Sequence, residues 1–236
     1  MKKAKRLTTS LIVPVFNESS YISTLIKSIR ESSIAPDEII FCDNNSTDDS
    51  LKEIRKFKSK LPIQILIEKE KGITPVVEKL WRNAKSDLIL KVDADSVLPV
   101  NWIKNAIHHF MIDPDLMACT GTLLVSDGNS IDKTILNTGY KLSMPIYRTL
   151  RKYPLLFGPN SVFRRKALSA IDGYTWHKEG LDDQVISQKL YEAGLKTDSF
   201  SDMYMYHSSR RYHLRPYAYV ETVLSFFHPR YYSVKS

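Results

Sequence analysis

Cysteine is scarce in this sequence. Only Cys42 and Cys119 occur, and their spacing matches no metal-binding framework. A disulfide-stapled or zinc-built fold is disfavoured on that ground, and a reducing compartment fits best. Long apolar runs are also missing. Nothing approaches the roughly 18 consecutive apolar residues of a membrane span. The basic start turns polar at Thr8, Thr9 and Ser10 before the short run Leu11–Val13, which does not read as a signal peptide. A cytoplasmic protein is expected, with peripheral contact at the membrane face left open. No Gly-x-Gly-x-x-Gly and no phosphate-loop motif is present. Any phosphate bound here must therefore be held by a metal and basic side chains rather than by a glycine loop. Internal repeats and linkers are absent too, so residues 1–236 read as one domain.

The charge is unbalanced. Thirty-four Lys and Arg against 26 Asp and Glu give +8, which suits polyanionic partners such as nucleotide diphosphates or anionic headgroups. Part of the excess lies at the ends: Lys2, Lys3, Lys5 and Arg6 at one, Arg210, Arg211, Arg215 and Arg230 near the other. A soluble protein with basic ends is the plainer reading. Nucleic acid is not expected from charge alone.

Strand and helix patterns alternate four times over about the first hundred residues. Leu11–Phe16 is a buried strand with Pro14 near its end, and Tyr21–Ser32 places Ile22, Leu25, Ile26 and Ile29 on one helical face. Glu38–Cys42 is a second strand. Ser46 or Thr47 can cap the helix that follows, whose apolar stripe is Leu51, Ile54 and Phe57. Ile63–Ile67 is a third strand, and a helix with Pro75 in its first turn runs to Lys85. Leu88–Val92 is the fourth strand. Further on, the pattern predicts a helix from Trp102 to Met111 and a strand over Leu116–Val125. A helix through Leu142 and Tyr147 and a bent strand over Leu155–Arg164 follow. Last come a helix over Val185–Ala193 and short strands at Thr197–Phe200 and Tyr204–Tyr206. The fold class is α/β, a mostly parallel central sheet with helices on both faces.

In such sheets ligands gather at the carboxyl ends of the strands. Asn17 and Glu18, Asp43 to Ser46, and Asp93 and Asp95 all fall there. Asp93 and Asp95 leave their strand on the same side, and two carboxylates so placed repel unless a cation lies between them. A hard divalent cation, completed by waters and a substrate's phosphates, is the usual answer. A pair of solvated loop aspartates is the bland one.

Five motifs in order, Val13-Pro14-Val15-Phe16-Asn17-Glu18, Asp43-Asn44-Asn45-Ser46-Thr47-Asp48, Asp93-Ala94-Asp95, Gly158-Pro159-Asn160 and Leu181-Asp182-Asp183, resemble a family 2 glycosyltransferase of the GT-A fold. The resemblance covers roughly residues 10 to 211. It implies a donor half (7–115), an acceptor and catalytic-base half (116–211) and a basic aromatic tail (212–236). The implied donor is a nucleotide-diphospho-sugar, a UDP- or GDP-sugar, with Mg2+ or Mn2+ and transfer with inversion.

By the same resemblance, Pro14, Phe16 and Glu18 line the nucleoside pocket, and Asp43 opens the base-recognition segment. Asn44 stands where a second acidic residue is common and can still pair with a pyrimidine. Asp95 is the direct metal ligand, with Asp93 nearer the ribose or a metal-bound water. Asp183 matches the catalytic base and Asp182 the acidic residue before it. The alternative for both is capping of the helix near Val185. His207 is a candidate third metal ligand, and Arg210 and Arg211 are candidate diphosphate contacts. An arginine common after the Gly72 loop is absent, leaving Lys79 or Lys71 to compensate.

The acceptor is expected to be a glycan or lipid-linked hydroxyl. Tyr140, Tyr147, Tyr153 and Trp176 can stack on sugar rings, cover lipid or pack in the core. The apolar face Tyr217, Val220, Leu224 and Phe227 can rest on an anionic bilayer, pack on the domain or meet a second copy in a homodimer. Two rival functions remain: a non-catalytic sugar- or polyanion-binding module on the same fold, and a nucleotidyltransferase. Asn17-Glu18-Ser19-Ser20 lacks the glycine-rich basic character the latter needs for a triphosphate.

Overall fold

The computed structural model describes residues 6–128, 130–173 and 182–210, apart from the side chains at positions 131, 132 and 182. The first half alternates as expected: β1 (Thr9–Val15), α1 (Ser19–Glu31), β2 (Glu38–Asp43), α2 (Ser50–Arg55), β3 (Ile63–Ile67), α3 (Ile73–Asn83) and β4 (Leu88–Lys91). Next come β5 (Ser96–Val97), α4 (Trp102–Ile112), β6 (Leu116–Thr120), β7 (Leu123–Val125) and α5 (Ser130–Arg151). A 3-10 turn over Gly158–Asn160 precedes β8 (Ser161–Arg164), α6 (Arg165–Ala170), α7 (Asp182–Glu192), β9 (Lys196–Ser199) and β10 (Met205–His207).

Seven strands form one sheet in the order β3-β2-β1-β4-β8-β6-β9. Only β8 runs against its neighbours, pairing antiparallel with both β4 and β6. Strands buried on both faces need apolar residues at odd and even positions alike, and β1 supplies them. Leu11, Val13 and Val15 pack with Ile22, Leu25 and Ile26 of α1 and with Trp102 and Phe110 of α4. Ile12 faces the opposite layer, with Ile40, Cys42, Val77 and Leu80, and with Leu168 of α6 and Ile186 of α7. Pro14 is tolerated in this central strand for a local reason. The Ile12 carbonyl accepts from Val92 N–H, so Ile12 faces β4, and Pro14, two residues on, points its missing N–H the same way. By then β4 has ended.

Two sequence expectations are corrected. The strand over Leu116–Val125 is two strands in different sheets, because the chain crosses the backbone of Met203 at Gly121. A Cβ there would lie 1.8 Å from the Met203 carbonyl oxygen. The bent strand over Leu155–Arg164 is extended only from Ser161; Gly158 and Pro159 form the 3-10 turn before it. Ser96 and Val97, to which the sequence pattern assigns no element, are a further strand. They pair with β10, which also pairs with β7, in a second sheet of order β5-β10-β7. Among the described residues no helix is long and apolar enough to cross a membrane.

Candidate active site

The loops after β1 and β2 interlock. Asn17 adopts a left-handed backbone (φ 57°), its amide N–H donates to Ser46 Oγ (3.0 Å) and its Oδ1 accepts from Thr47 N–H (2.8 Å). Neither Ser46 nor Thr47 caps α2. Asp48 does that work, accepting from Ser50 N–H (3.0 Å) and from Ser19 N–H (3.0 Å) at the start of α1. One carboxylate thus satisfies the open ends of two helices. This rim carries Phe16, whose ring is exposed at the end of β1, and Asp43, buried at the end of β2. Asp43 Oδ2 accepts from Ser46 N–H (3.2 Å), whereas Oδ1 is buried with no hydrogen-bond partner among the described residues.

Asn44 has a different task from the one expected. Its Nδ2 donates to the carbonyls of Glu68 (3.0 Å) and Glu70 (2.6 Å), and its Oδ1 accepts from Gly72 N–H (3.0 Å). The carboxamide is occupied in shaping the β3–α3 loop and is not free to read a base. Lys79 is tied as well, to the Ile67 carbonyl (2.6 Å) and Glu68 (3.2 Å).

The segment from Val92 to Ser96 leaves the sheet between β4 and β5 and carries Asp93 and Asp95, both half-buried. Arg210 reaches them from the far end of the described chain. Its guanidinium donates to Glu18 Oε1, lies 3.5 Å from Asp95 Oδ2 and stacks 4.6 Å from the centre of the Tyr21 ring. Burial works against the guanidinium's charge, but Glu18 and then Asp95 outweigh it and hold its pKa above the ordinary value. Burial dominates at Glu18 and raises its pKa despite Arg210. Asp127, in the loop after β7, aims this arginine. It accepts from Ser208 Oγ (2.6 Å) and Ser209 N–H (2.5 Å) just before it.

A cation therefore already stands beside Asp95, and the donor set there is hard oxygen. Among the described residues no three His, Cys, Asp or Glu side chains gather in a metal-ligand arrangement. His207 is not brought into one. Its ring is buried edge-on against Tyr140 (5.5 Å), and its carbonyl accepts from Ser126 N–H (3.1 Å). Residues Asp93 and Asp95 fit a divalent ion that draws its other ligands from water and phosphate.

Across the sheet edge, Asp183 projects from the first turn of α7. Its Oδ2 accepts from Gly158 N–H (2.7 Å). The turn is bolted in place by Ser187, whose hydroxyl donates to the Asp183 carbonyl (2.6 Å) and accepts from Leu156 N–H (2.9 Å). Lys91 comes up between the two acidic groups, 3.5 Å from Asp93 Oδ1. Sequence reading passed over it, although a lysine inside the apolar run Leu88–Val92 was itself a signal, since buried charge is costly unless paired. Asn160 proves to be structural. It is fully buried, accepts from Trp102 Nε1 (2.9 Å) and donates to the Met203 carbonyl (2.6 Å). Tyr140, Tyr147 and Tyr153 are buried core residues, with Tyr140 edge-on to Phe157 (5.7 Å) and Tyr147 to Tyr153 (5.9 Å). Arg211, Trp176, the Asp182 side chain and the apolar tail face lie outside the described residues.

The chain is similar to known proteins. The chain is 25% identical over 189 residues to the chondroitin synthase of Escherichia coli, covering 78% of itself and 26% of that protein. It is 24% identical over 210 residues to the O-antigen chain rhamnosyltransferase RfbN of Salmonella typhimurium, covering 84% of itself and 66% of that protein. It thus spans only part of each. Among solved structures, the mannosyltransferase PcManGT of Pyrobaculum calidifontis, in complex with GDP-Man and Mn2+, matches with a TM-score of 0.73 at 21% identity. That match covers 94% of this chain and 64% of the other. Staphylococcus aureus TarS in complex with UDP-GlcNAc matches at 0.67 and 20% identity, covering 86% and 59%. These structures show the GT-A fold. The glycosyl transferase family 2 model matches residues 10–172, more than half of the sequence, and the chain belongs to that family.

Proposed function

We propose that the protein transfers a sugar, with inversion and with a divalent metal, from a nucleotide-diphosphate donor to a hydroxyl of a glycan or lipid-linked acceptor. The observation that carries this reading is the meeting of two kinds of carboxylate at one sheet edge. Asp93 and Asp95 stand at the end of β4, and Asp183 stands across from them, its Oδ2 fixed by Gly158 N–H at 2.7 Å. Donors of related proteins agree with it, since PcManGT is complexed with GDP-Man and Mn2+ and TarS with UDP-GlcNAc. Both bases stay open for this chain.

On this reading Phe16 stacks on the base, Pro14 and Glu18 border the nucleoside, and Asp43 Oδ1 accepts from a base N–H. Asp95 is the direct metal ligand and Asp93 lies nearer the ribose or a metal-bound water. The bound metal, Mg2+ or Mn2+, stabilises the negative charge that grows on the departing diphosphate. Arg210 and Arg211 assist there once the donor's phosphates replace Glu18 as the anionic partner. Asp183 takes the proton of the acceptor hydroxyl as its oxygen bonds the anomeric carbon and the bond to the diphosphate breaks. Asp182 takes this role only if the loop register differs. Residues 7–115 form the donor half and 116–211 the acceptor half.

Membrane contact is proposed on a surface other than the tail. Ile135, Leu142, Ile146 and Leu150 lie exposed along one side of α5. The inner side of the same helix places Tyr140 against His207 at the site. A lipid-linked acceptor suits this arrangement.

The test combines thermal shift with transfer. One nucleotide sugar should stabilise the protein only when Mn2+ is present. Asp95→Ala should remove that stabilisation, and Asp183→Asn should keep it while losing transfer. Full transfer by both variants would sink the enzyme reading, and no response to any nucleotide sugar would favour the binding module.

A further inference from the structure

We infer that Lys91 is a positioning residue that couples the donor-side carboxylate Asp93 to Asp183, holding the two acidic groups at a fixed separation. The inference rests on Asp183 being the base. Lys91 is the last residue of β4 and its side chain is 3% exposed. Its backbone register puts it on the sheet face of Ile12 and Ile89, the face covered by α3, α6 and α7. An ammonium in that layer is tolerated only with anionic partners. One is Asp93, 3.5 Å away. The other is located by Gly158: a Cβ there would lie 2.6 Å from Lys91 Nζ and 2.7 Å from Asp183 Oδ1. The ammonium and that oxygen therefore flank the same point.

The two oxygens of Asp183 are distinguished by this arrangement. Oδ2 takes the Gly158 N–H, and Oδ1 faces the side on which Lys91 stands. Without the ammonium, the carboxylates of β4 and α7 would confront each other across a poorly solvated gap and drift apart. A lysine suits the place because one ammonium offers three donors to groups on different sides, whereas a guanidinium is a wider planar fork. Gly158 belongs to the same device, since any side chain there would enter the space between Lys91 and Asp183.

Lys91→Met keeps the length and removes the charge. The expected result is a fall in kcat of about 100-fold, as for a roughly 1 Å misplacement of a reacting group. The dissociation constant of the stabilising nucleoside diphosphate should stay within about threefold. Mn2+ affinity, read from the electron paramagnetic resonance of free Mn2+ in the presence of that nucleotide, should hold or rise, because a positive charge has left Asp93. A merely structural lysine would instead weaken metal binding and turnover together, and that outcome would overturn the inference. Added to Asp183→Asn, Lys91→Met should cost little more, and two fully multiplying losses would also overturn it. If the Met variant is unfolded by circular dichroism, Lys91→Gln carries the same test. Wild-type transfer by Asp183→Asn would overturn the base assignment and this inference with it. An inactive Asp183→Asn beside a fully active Lys91→Met would overturn only this inference.

Discussion

Replacing Gly158 by alanine tests the catalytic geometry with one methyl group. The Gly158 backbone does not lie in the left-handed region, so alanine meets no conformational penalty of the kind that glycine usually avoids. The cost comes from contact. The new methyl would start 2.6 Å from Lys91 Nζ and 2.7 Å from Asp183 Oδ1, with Oδ2 at 3.1 Å. Ordinary contacts to carbon begin near 3.5 Å, so the ammonium and the carboxylate must each retreat by roughly 0.8 Å. Forcing a methyl into a packed site costs about 1–3 kcal/mol of stability, which a folded domain of ordinary stability survives. A carboxylate displaced by nearly an ångström from its reacting position loses on the order of 100-fold in rate, about 2.7 kcal/mol in the barrier. The assay is steady-state transfer with donor and acceptor varied separately, beside urea unfolding. The expectation is a large fall in kcat, a donor KM within about threefold of wild type and a modest shift of the urea midpoint. Undiminished kcat in a folded variant would refute the reasoning, and so would a loss confined to donor KM.

Asn160→Ala should act on stability rather than chemistry. It strands the Trp102 indole N–H and the Met203 carbonyl in a fully buried place, at about 1–3 kcal/mol for each group left unpaired, measurable by urea unfolding. Asp48→Ala should destabilise the protein by about 1 kcal/mol at neutral pH, the usual scale for a lost helix cap. Burial pushes the Asp48 carboxyl up, but hydrogen bonds from Ser50 and Ser19 outweigh it and bring the pKa down from 3.8 to about 2. A depressed folded pKa gives stability that is complete above the unfolded value and fades as pH falls from about 4 to 2. Wild type and variant should therefore draw together over that window in acid unfolding curves, and a gap undiminished at pH 2 would contradict the capping role. Leu142→Glu with Ile146→Glu should abolish flotation with phosphatidylglycerol vesicles and leave transfer to a soluble acceptor analogue unchanged. Wild-type protein that fails to float, or that is dimerised through this face, would refute membrane contact.

The first four strands and three helices are plain in the sequence because each carries its own period, and the polar residues that end the strands share one edge as a consequence. Asp43, Asp93 and Asp95 could be nominated from the strand-end pattern, and Asp183 from the resemblance to the family. What local pattern could not supply is pairing across the chain. A two-residue strand such as Ser96–Val97 has no period to detect, and only its partners in β10 make it a strand. The same holds for Asn44, whose role is decided by carbonyls of Glu68 and Glu70, and for Arg210, which meets Glu18 from the other end of the described chain. His207 was named through the resemblance, and its ring contact with Tyr140 of α5 is another pairing that no local pattern shows.

The order of strands in the second sheet has a bearing on synthesis. Ser96–Val97 and Leu123–Val125 leave the ribosome well before Met205–His207, the strand that must lie between them. Until that insertion the aspartate-bearing corner after β4 has no strand to hold it, and Glu18 and Asp95 have no arginine across from them. The nascent chain can therefore assemble most of its core while this edge stays slack, with Met203 and Met205 entering last. Competence for ligand should appear in a late step, after most of the secondary structure is already present.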